Sequence, residues 1–241
     1  MHSPILGEFL GTAVLVFLGE GANAGVLLRA SKAENSGWIV ITAGWAFAVF
    51  CGAITAIAFG SPAAHLNPAI TIASVLQSGD ASTLLPFLSA QMAGAFFGAL
   101  LVWLFYYPHW KITPDPAAKL AVFCTAPAVR SPFWNLLSEA LATSMLLVTA
   151  HALASPAFAT LTGTTVLSPF LVGVIVWSIG LSLGGTTGYA INPARDLSPR
   201  LAHSLLPIAG KGTSDWSYAP IPVLGPLLGA VVTGLLLRFA A

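Results

Sequence analysis

The chain has 241 residues, of which 56% are hydrophobic and only 7% charged, with nine Lys or Arg against eight Asp or Glu. Soluble domains carry about 25% charged residues, so this surface is too poor in charge to face water on all sides. A net charge of +1 with no basic run excludes a nucleic-acid partner. The solvent implied is a lipid bilayer.

Six apolar runs lie near 4–28, 37–59, 84–106, 133–154, 166–184 and 219–239. Each approaches the ~20 residues that a helix needs to cross about 30 Å of hydrocarbon. An all-α membrane protein with six transmembrane helices is expected, with both termini on one side. The first run is too long, and too poor in preceding positive charge, for a cleaved signal peptide. It carries two acids, Glu8 and Glu20. Charge inside a span is costly and implies a function; the role of Glu20 is open at this level.

The second run holds Trp45 and Cys51. After it comes GSPAAHLNPAITIASVLQSG, residues 60–79. From Asn67 to Gln77 it reads as a helix of eleven residues, about 16 Å at ~1.5 Å per residue, which is half a bilayer. Asn is a favoured helix cap and Pro suits the first helical position, so Asn67-Pro68-Ala69 marks where that half-helix starts. The third run carries Gly94-x-x-x-Gly98, a spacing that lets helices approach closely and is read here as packing the two halves of the chain together. Residues 107–132 read as a connecting loop. Cys51 and Cys124 are isolated, which indicates free structural thiols and not a disulfide framework or a metal site.

The fourth run begins near Glu139 and ends near His151, and the fifth contains Gly180. Then YAINPARDLSPR, residues 189–200, places Asn192-Pro193-Ala194 at the start of a second short helix reaching His203. Arg195, Asp196 and Arg200 follow within it, after a stretch from Glu139 to Tyr189 that has no charge at all. Arg195 is the sharpest functional candidate, because an intramembrane Arg marks a pathway or site by default. Arg200 is assigned to the outer mouth or to loop packing, and His151 and His203 are read as polar neighbours at span ends. The sixth run has Gly225-x-x-x-Gly229.

These features repeat. Leu6-Gly-Glu-Phe-Leu-Gly-Thr matches Leu137-Ser-Glu-Ala-Leu-Ala-Thr, placing Glu139 131 residues after Glu8; Gly225 follows Gly94 by the same 131, and Asn192 follows Asn67 by 125. The chain is therefore one domain, 1–241, built from repeat 1 (about 4–106) and repeat 2 (about 133–240). With three spans per repeat, the second must enter the membrane from the opposite face, the inverted repeat of transport folds. The two half-helices then meet head to head at the midplane. Non-helical backbone at that depth is tolerated where it lines a water-filled cavity, so a pore follows.

The paired motifs Ala64-His-Leu-Asn-Pro-Ala69 and Gly188-Tyr-Ala-Ile-Asn-Pro-Ala-Arg-Asp196, with Glu8 and Glu139, resemble the aquaporin family over essentially the whole chain. The resemblance implies a passive channel and no enzyme, with no cofactor or metal, in a likeness closer to the glycerol facilitator branch. It places Asn67, Pro68, Ala69, Asn192, Pro193 and Ala194 at the pore centre. Backbone carbonyls of Ala64, His65, Leu66, Gly188, Tyr189 and Ala190 would line one wall. A selectivity filter would be formed by Trp45, Gly180, Tyr189 and Arg195, with Glu8, Glu139 and Asp196 as loop support.

Asp196 goes with glycerol facilitators, and is read as holding Arg195 and its loop back. Gly180, where a water-specific filter has His, is read as leaving a gap for a carbon chain. Tyr189 stands where facilitators usually carry Phe, and a register slip would put Phe47 or Ala48 in the place given to Trp45. Expected partners are glycerol, water and similar small neutral solutes, the lipid bilayer, and three further copies in a homotetramer. Other guests of the same class, such as protonated lactic acid, hydrogen peroxide or urea, stay open, as does a mainly water-conducting pore. From a different class, a secondary transporter or ion channel would need Asp196 as its coupling carboxylate.

The expected location is a prokaryotic inner or plasma membrane. Orientation is in conflict. Arg29, Lys32, Lys111, Lys119, Arg130, Arg200 and Lys211 fall on one side and only Arg238 on the other, so the positive-inside rule puts those loops in the cytoplasm. The family resemblance puts the termini there, and is preferred.

Overall fold

A computed structural model describes residues 2–156, 158 and 167–240. The helices run α1 (Pro4–Leu27), α2 (Trp38–Ala58), α3 (Pro68–Ser78), α4 (Leu84–Phe105), α5 (Tyr107–Ile112), α6 (Pro116–Phe123), α7 (Pro132–Leu153), α8 (Leu167–Ser182), α9 (Pro193–Leu205) and α10 (Pro220–Ala240). No strand occurs among the described residues. Helices α1, α2, α4, α7 and α10 are long and apolar enough to cross a membrane. The fifth span is α8, described from Leu167; residue 166, where it was expected to begin, lies outside the described residues.

Proline sets where helices begin. It occupies the first position of α1, α3, α6, α7, α9 and α10, where its missing N–H would have had no partner anyway. Ser3 completes the start of α1 by accepting from the Leu6 N–H at 3.1 Å. Gly79, at φ 77°, ends α3 in the left-handed conformation that glycine adopts without steric cost.

The repeats interlock. In repeat 1, α1 packs against α2 and α4; in repeat 2, α7 packs against α10. The half-helices cross over, α3 lying on α10 and α9 on α4. The long spans α2 and α8 also meet across the repeats, at Gly173, where a methyl would stand 2.8 Å from the Ala46 carbonyl oxygen.

The Gly-x-x-x-Gly pairs do not join the halves, as had been expected. Methyls at Gly94 and Gly98 would lie 2.3 Å from the Phe9 carbonyl oxygen and 2.6 Å from that of Ala13, both on α1. At Gly225 and Gly229 they would lie 2.5 Å from the Glu139 Cβ and 2.4 Å from the Ala140 carbonyl oxygen, both on α7. Each pair therefore closes the first span against the third inside its own half.

Residues 107–132 are also more than a loop, since they hold α5 and α6 and run into the start of α7. Cys124 sits buried just past α6, Cys51 is half-buried in α2, and both are free thiols. Charged side chains lie inside the fold and large apolar ones outside it. Glu8, Glu20, Glu139, Asp196 and Arg200 are fully buried, while large side chains such as Phe47, Leu104, Phe105 and Leu236 are exposed. That inversion suits a lipid solvent.

Candidate functional site

Two carboxylates hold the segments that precede the half-helices. Glu8 accepts from Ser61 Oγ (2.7 Å), the His65 N–H (2.8 Å), the Leu66 N–H (2.7 Å) and Gln91 Nε2 (2.8 Å). Glu139 accepts from Thr187 Oγ1 (2.6 Å), the Ala190 N–H (3.0 Å) and the Ile191 N–H (2.9 Å). Between these anchors the backbone takes an unusual path. Ala64 and Leu66 have φ of 43° and 52°, and Tyr189 and Ile191 have 39° and 44°. Left-handed non-glycine residues cost of order 1–3 kcal/mol each, so the buried carboxylates maintain a strained geometry in both repeats at matching positions.

Asn67 and Asn192 cap α3 and α9. The Asn67 side-chain oxygen accepts the Ala69 N–H at 2.9 Å, and that of Asn192 accepts those of Ala194 (3.0 Å) and Arg195 (3.3 Å). Their amide nitrogens bond reciprocally across the repeats: Asn67 Nδ2 donates to the Ile191 carbonyl and Asn192 Nδ2 to that of Leu66, each at 2.8 Å. Each amide keeps a second N–H. The Leu66 carbonyl, expected in the pore wall, is thus already engaged. Those of Ala64, His65, Tyr189 and Ala190 accept nothing from the described protein. Gly188 does not line the cavity; it turns at φ 82° against Thr125.

The cavity these loops border has a volume of about 630 Å³. Its lining combines the segments Ala64 to Asn67 and Tyr189 to Asn192 with aliphatic residues, among them Val49, Ala53, Leu146, Val172 and Val176. Trp45 and Arg195 also line it. Both are nearly buried, and the Arg195 Cζ lies 3.9 Å from the Trp45 ring centroid. Trp45 is fixed by its Nε1 donating to Asn23 Oδ1 at 3.0 Å, and Arg195 by one bond from Nη1 to the Phe123 carbonyl at 3.3 Å. Of the three residues weighed for this place, Trp45 lines the cavity, whereas Phe47 is 53% exposed and Ala48 is fully buried away from it.

Gly180 does not leave the gap expected of it. A methyl there would stand 2.8 Å from Tyr189 Cζ and 2.9 Å from its hydroxyl oxygen, so glycine makes room for the tyrosine and the tyrosine fills it. The Tyr189 ring meets Trp38 edge-on at 5.8 Å, and its buried hydroxyl has no hydrogen-bond partner among the described residues.

Among the described residues, the Asp196 carboxylate makes no hydrogen bond or ion pair with Arg195. It accepts the N–H and Oγ1 of Thr125, both at 2.7 Å, and Nε and Nη2 of Arg200 at 3.0 and 2.8 Å. Arg200 also donates to the carbonyls of Thr125, Ser214 and Asp215. Its reading as loop packing is right, but its place is fully buried and not at the mouth. In the loop between α9 and α10, burial pushes the Asp215 carboxyl up, but hydrogen bonds from Arg130 and Ser217 outweigh it and hold the group below its ordinary value. Sequence reasoning missed Asn23, Thr125, Gln91, Ser61 and Thr187. Only the Asp196–Arg200 spacing of four carried a usable signal. Among the described residues no three His, Cys, Asp or Glu side chains are grouped to hold a metal ion.

An inverted repeat whose two half-helices are tied tip to tip beside a cavity has the architecture of a membrane channel. The model of the major intrinsic protein family matches residues 2–237, and the chain belongs to that family. It is similar to glycerol uptake facilitator protein 3 of Lactiplantibacillus plantarum, 51% identical over 233 residues covering 96% of this chain and 94% of the relative. It is also similar to a probable glycerol uptake facilitator protein of Thermotoga maritima, 51% identical over 95% of this chain and 96% of that one. Among solved structures, the aquaglyceroporin of Plasmodium falciparum superposes with a TM-score of 0.82 at 29% identity, covering 97% of this chain and 94% of its own.

Proposed function

We propose that the protein is a passive channel for glycerol, water and similar small neutral solutes, with Trp45, Tyr189 and Arg195 as its selectivity filter and Gly180 as the clearance behind Tyr189. The observation that carries this reading is the reciprocal pair Asn67–Ile191 and Asn192–Leu66, which holds two helix N-termini together beside the cavity. Each terminus carries roughly +0.5 charge, and this field repels cations, as is general for aquaporin-type pores. The second N–H of each Asn amide donates to a passing oxygen, which then relays a proton poorly. The free carbonyls of Ala64, His65, Tyr189 and Ala190 accept solute O–H groups, while the aliphatic wall receives the CH side. A polyol has both faces.

Light scattering from proteoliposomes under a glycerol gradient tests this. Flux well above that of empty vesicles is expected, and its absence overturns the reading. One observation favours a second solute: the unpartnered Tyr189 hydroxyl adds a hydrogen-bonding group that suits a protonated small carboxylic acid. Lactic acid uptake in the same vesicles, at a pH below its pKa, checks it. The chain sits in a cell membrane with its termini in the cytoplasm, and assembles as a homotetramer through its exposed apolar faces.

A further inference from the structure

Asn23 is a buried polar side chain on a membrane-spanning helix, and neither the pore centre nor the loop supports use it. It lies in the last two turns of α1 and is 5% exposed. Polar groups at such depth are costly without partners. An Asn amide offers an oxygen acceptor and two N–H donors, and here each is engaged. Oδ1 accepts from Trp45 Nε1 at 3.0 Å, and Nδ2 donates to the carbonyls of Ala121 and Val122 at 3.1 and 3.3 Å.

Those carbonyls belong to the last turn of α6, where a helix leaves its carbonyls without a partner of its own. The next one, that of Phe123, takes the single side-chain hydrogen bond of Arg195 at 3.3 Å. Three consecutive carbonyls therefore hold both Trp45 and Arg195, two of them through Asn23 and one directly. The strip they form is well anchored. Pro116 and the cap from Asp115 set the start of α6, and the fully buried Phe123 ring stacks on Trp110 at 5.5 Å. Gly19, one turn before Asn23, leaves room for the indole: a methyl there would fall 2.4 Å from Trp45 Cε3. The indole is thus held at its N–H edge by Asn23, and the Arg195 Cζ lies 3.9 Å from its ring centroid.

We propose that Asn23 is a positioning residue of the filter: it ties the Trp45 indole to the end of α6, and so fixes the gap between Trp45 and the guanidinium that the same strip of backbone holds. The proposal rests on Trp45 and Arg195 belonging to the filter. It deepens that reading, because the size limit is then set from the connection between the repeats as well as from the pore wall. A Trp45 released from Asn23 has an unpaired N–H, which turns toward water or solute in the cavity and relaxes the discrimination against longer polyols.

The test is a double-mutant cycle of Asn23→Leu, which removes all three hydrogen bonds at similar volume, with Trp45→Phe, which removes the indole N–H. In wild type, Asn23→Leu should raise the erythritol-to-glycerol flux ratio in proteoliposomes about twofold or more. In Trp45→Phe it should leave the ratio unchanged, since no indole N–H remains for Asn23 to hold. An unchanged ratio in wild type, or an equal rise in both backgrounds, would make Asn23 a residue that only docks α6 on α1 and overturn the proposal. A second readout does not involve solute. Among the indole N–H resonances of the isotope-labelled channel in detergent, the one that Trp45→Phe removes should shift and exchange faster with deuterium in Asn23→Leu. A Trp45 resonance that does neither also overturns the proposal. Asn23→Ala serves both arms if Asn23→Leu does not assemble. Wild-type glycerol flux in these vesicles tests the channel reading separately, because the indole resonance does not depend on which solute passes.

Discussion

Arg195 and Arg200 stand five positions apart on one short helix, and hydrogen-bond capacity separates their roles. A guanidinium has five N–H donors. Arg200 makes five hydrogen bonds, to Asp196 twice and to the carbonyls of Thr125, Ser214 and Asp215. It has nothing left to offer a solute. Arg195 makes one, and lines the cavity with its other donors unspent. Removing one partner of a buried ion pair costs about 3–5 kcal/mol, so Arg200→Met should sharply lower the melting temperature in detergent. Asp196→Asn with Arg200→Met should recover part of that loss. Arg195→Met should act on selectivity, letting polyols larger than glycerol pass in a light-scattering assay, with more of the folded yield kept. Sequence alone pointed to Arg195, because an unpaired charge in a half-helix stands out. It misjudged what Asp196 holds, because Thr125 lies 71 positions away and no local pattern announces that pairing.

At the scale of elements, small residues decide which helices can touch. Gly229→Ala would bring a methyl within 2.4 Å of the Ala140 carbonyl oxygen and push α10 off α7, whereas a methyl at Gly21 of α1 meets nothing within 4 Å. Overpacking costs roughly 1–3 kcal/mol, and Gly in a helix interior costs about 1 kcal/mol relative to Ala. Thermal unfolding of the two variants should therefore diverge: Gly229→Ala falls by several degrees, and Gly21→Ala holds level or rises. The glycine spacing showed in the sequence that two helices come close. It could not show which two, because the motif records a clearance and carries no identity of the partner. The half-helices were legible for a different reason. Asn-Pro-Ala is a complete local instruction, a cap followed by a residue that starts a helix, and α3 and α9 begin at the positions it marks. Their crossing onto the third span of the opposite repeat was not legible, since it depends on how the whole inverted pair closes.

At the scale of the whole molecule, the basic loops and the proposed cytoplasmic termini make opposite demands on insertion. The inverted repeat was readable from offsets of 131 and 125 positions, yet the charge bias argued for the reverse insertion. In the folded chain, four of the seven basic residues on that side are consumed by the structure. Lys119 donates to the carbonyls of Ala209 and Gly210. Lys211 closes the end of α9 through those of His203, Ser204 and Leu206. Arg130 pairs with Asp215, and Arg200 is saturated. They answer carbonyls and carboxylates in and around α9 and the loop that follows it, which is a demand of folding. Only Arg29, Lys32 and Lys111 remain as a topogenic signal against Arg238, too small a difference to dictate insertion. Lys32 and Asp80 are exposed in the α1–α2 and α3–α4 connections, which the inverted repeat puts on opposite faces. With the termini cytoplasmic, Lys32→Cys should react with a membrane-impermeant maleimide on intact cells, and Asp80→Cys only after permeabilisation. The wild-type chain, whose two thiols are half-buried or buried, gives the background. The opposite labelling pattern would mean that the three remaining charges outweigh the fold, and that the proposed filter at Arg195 faces inward.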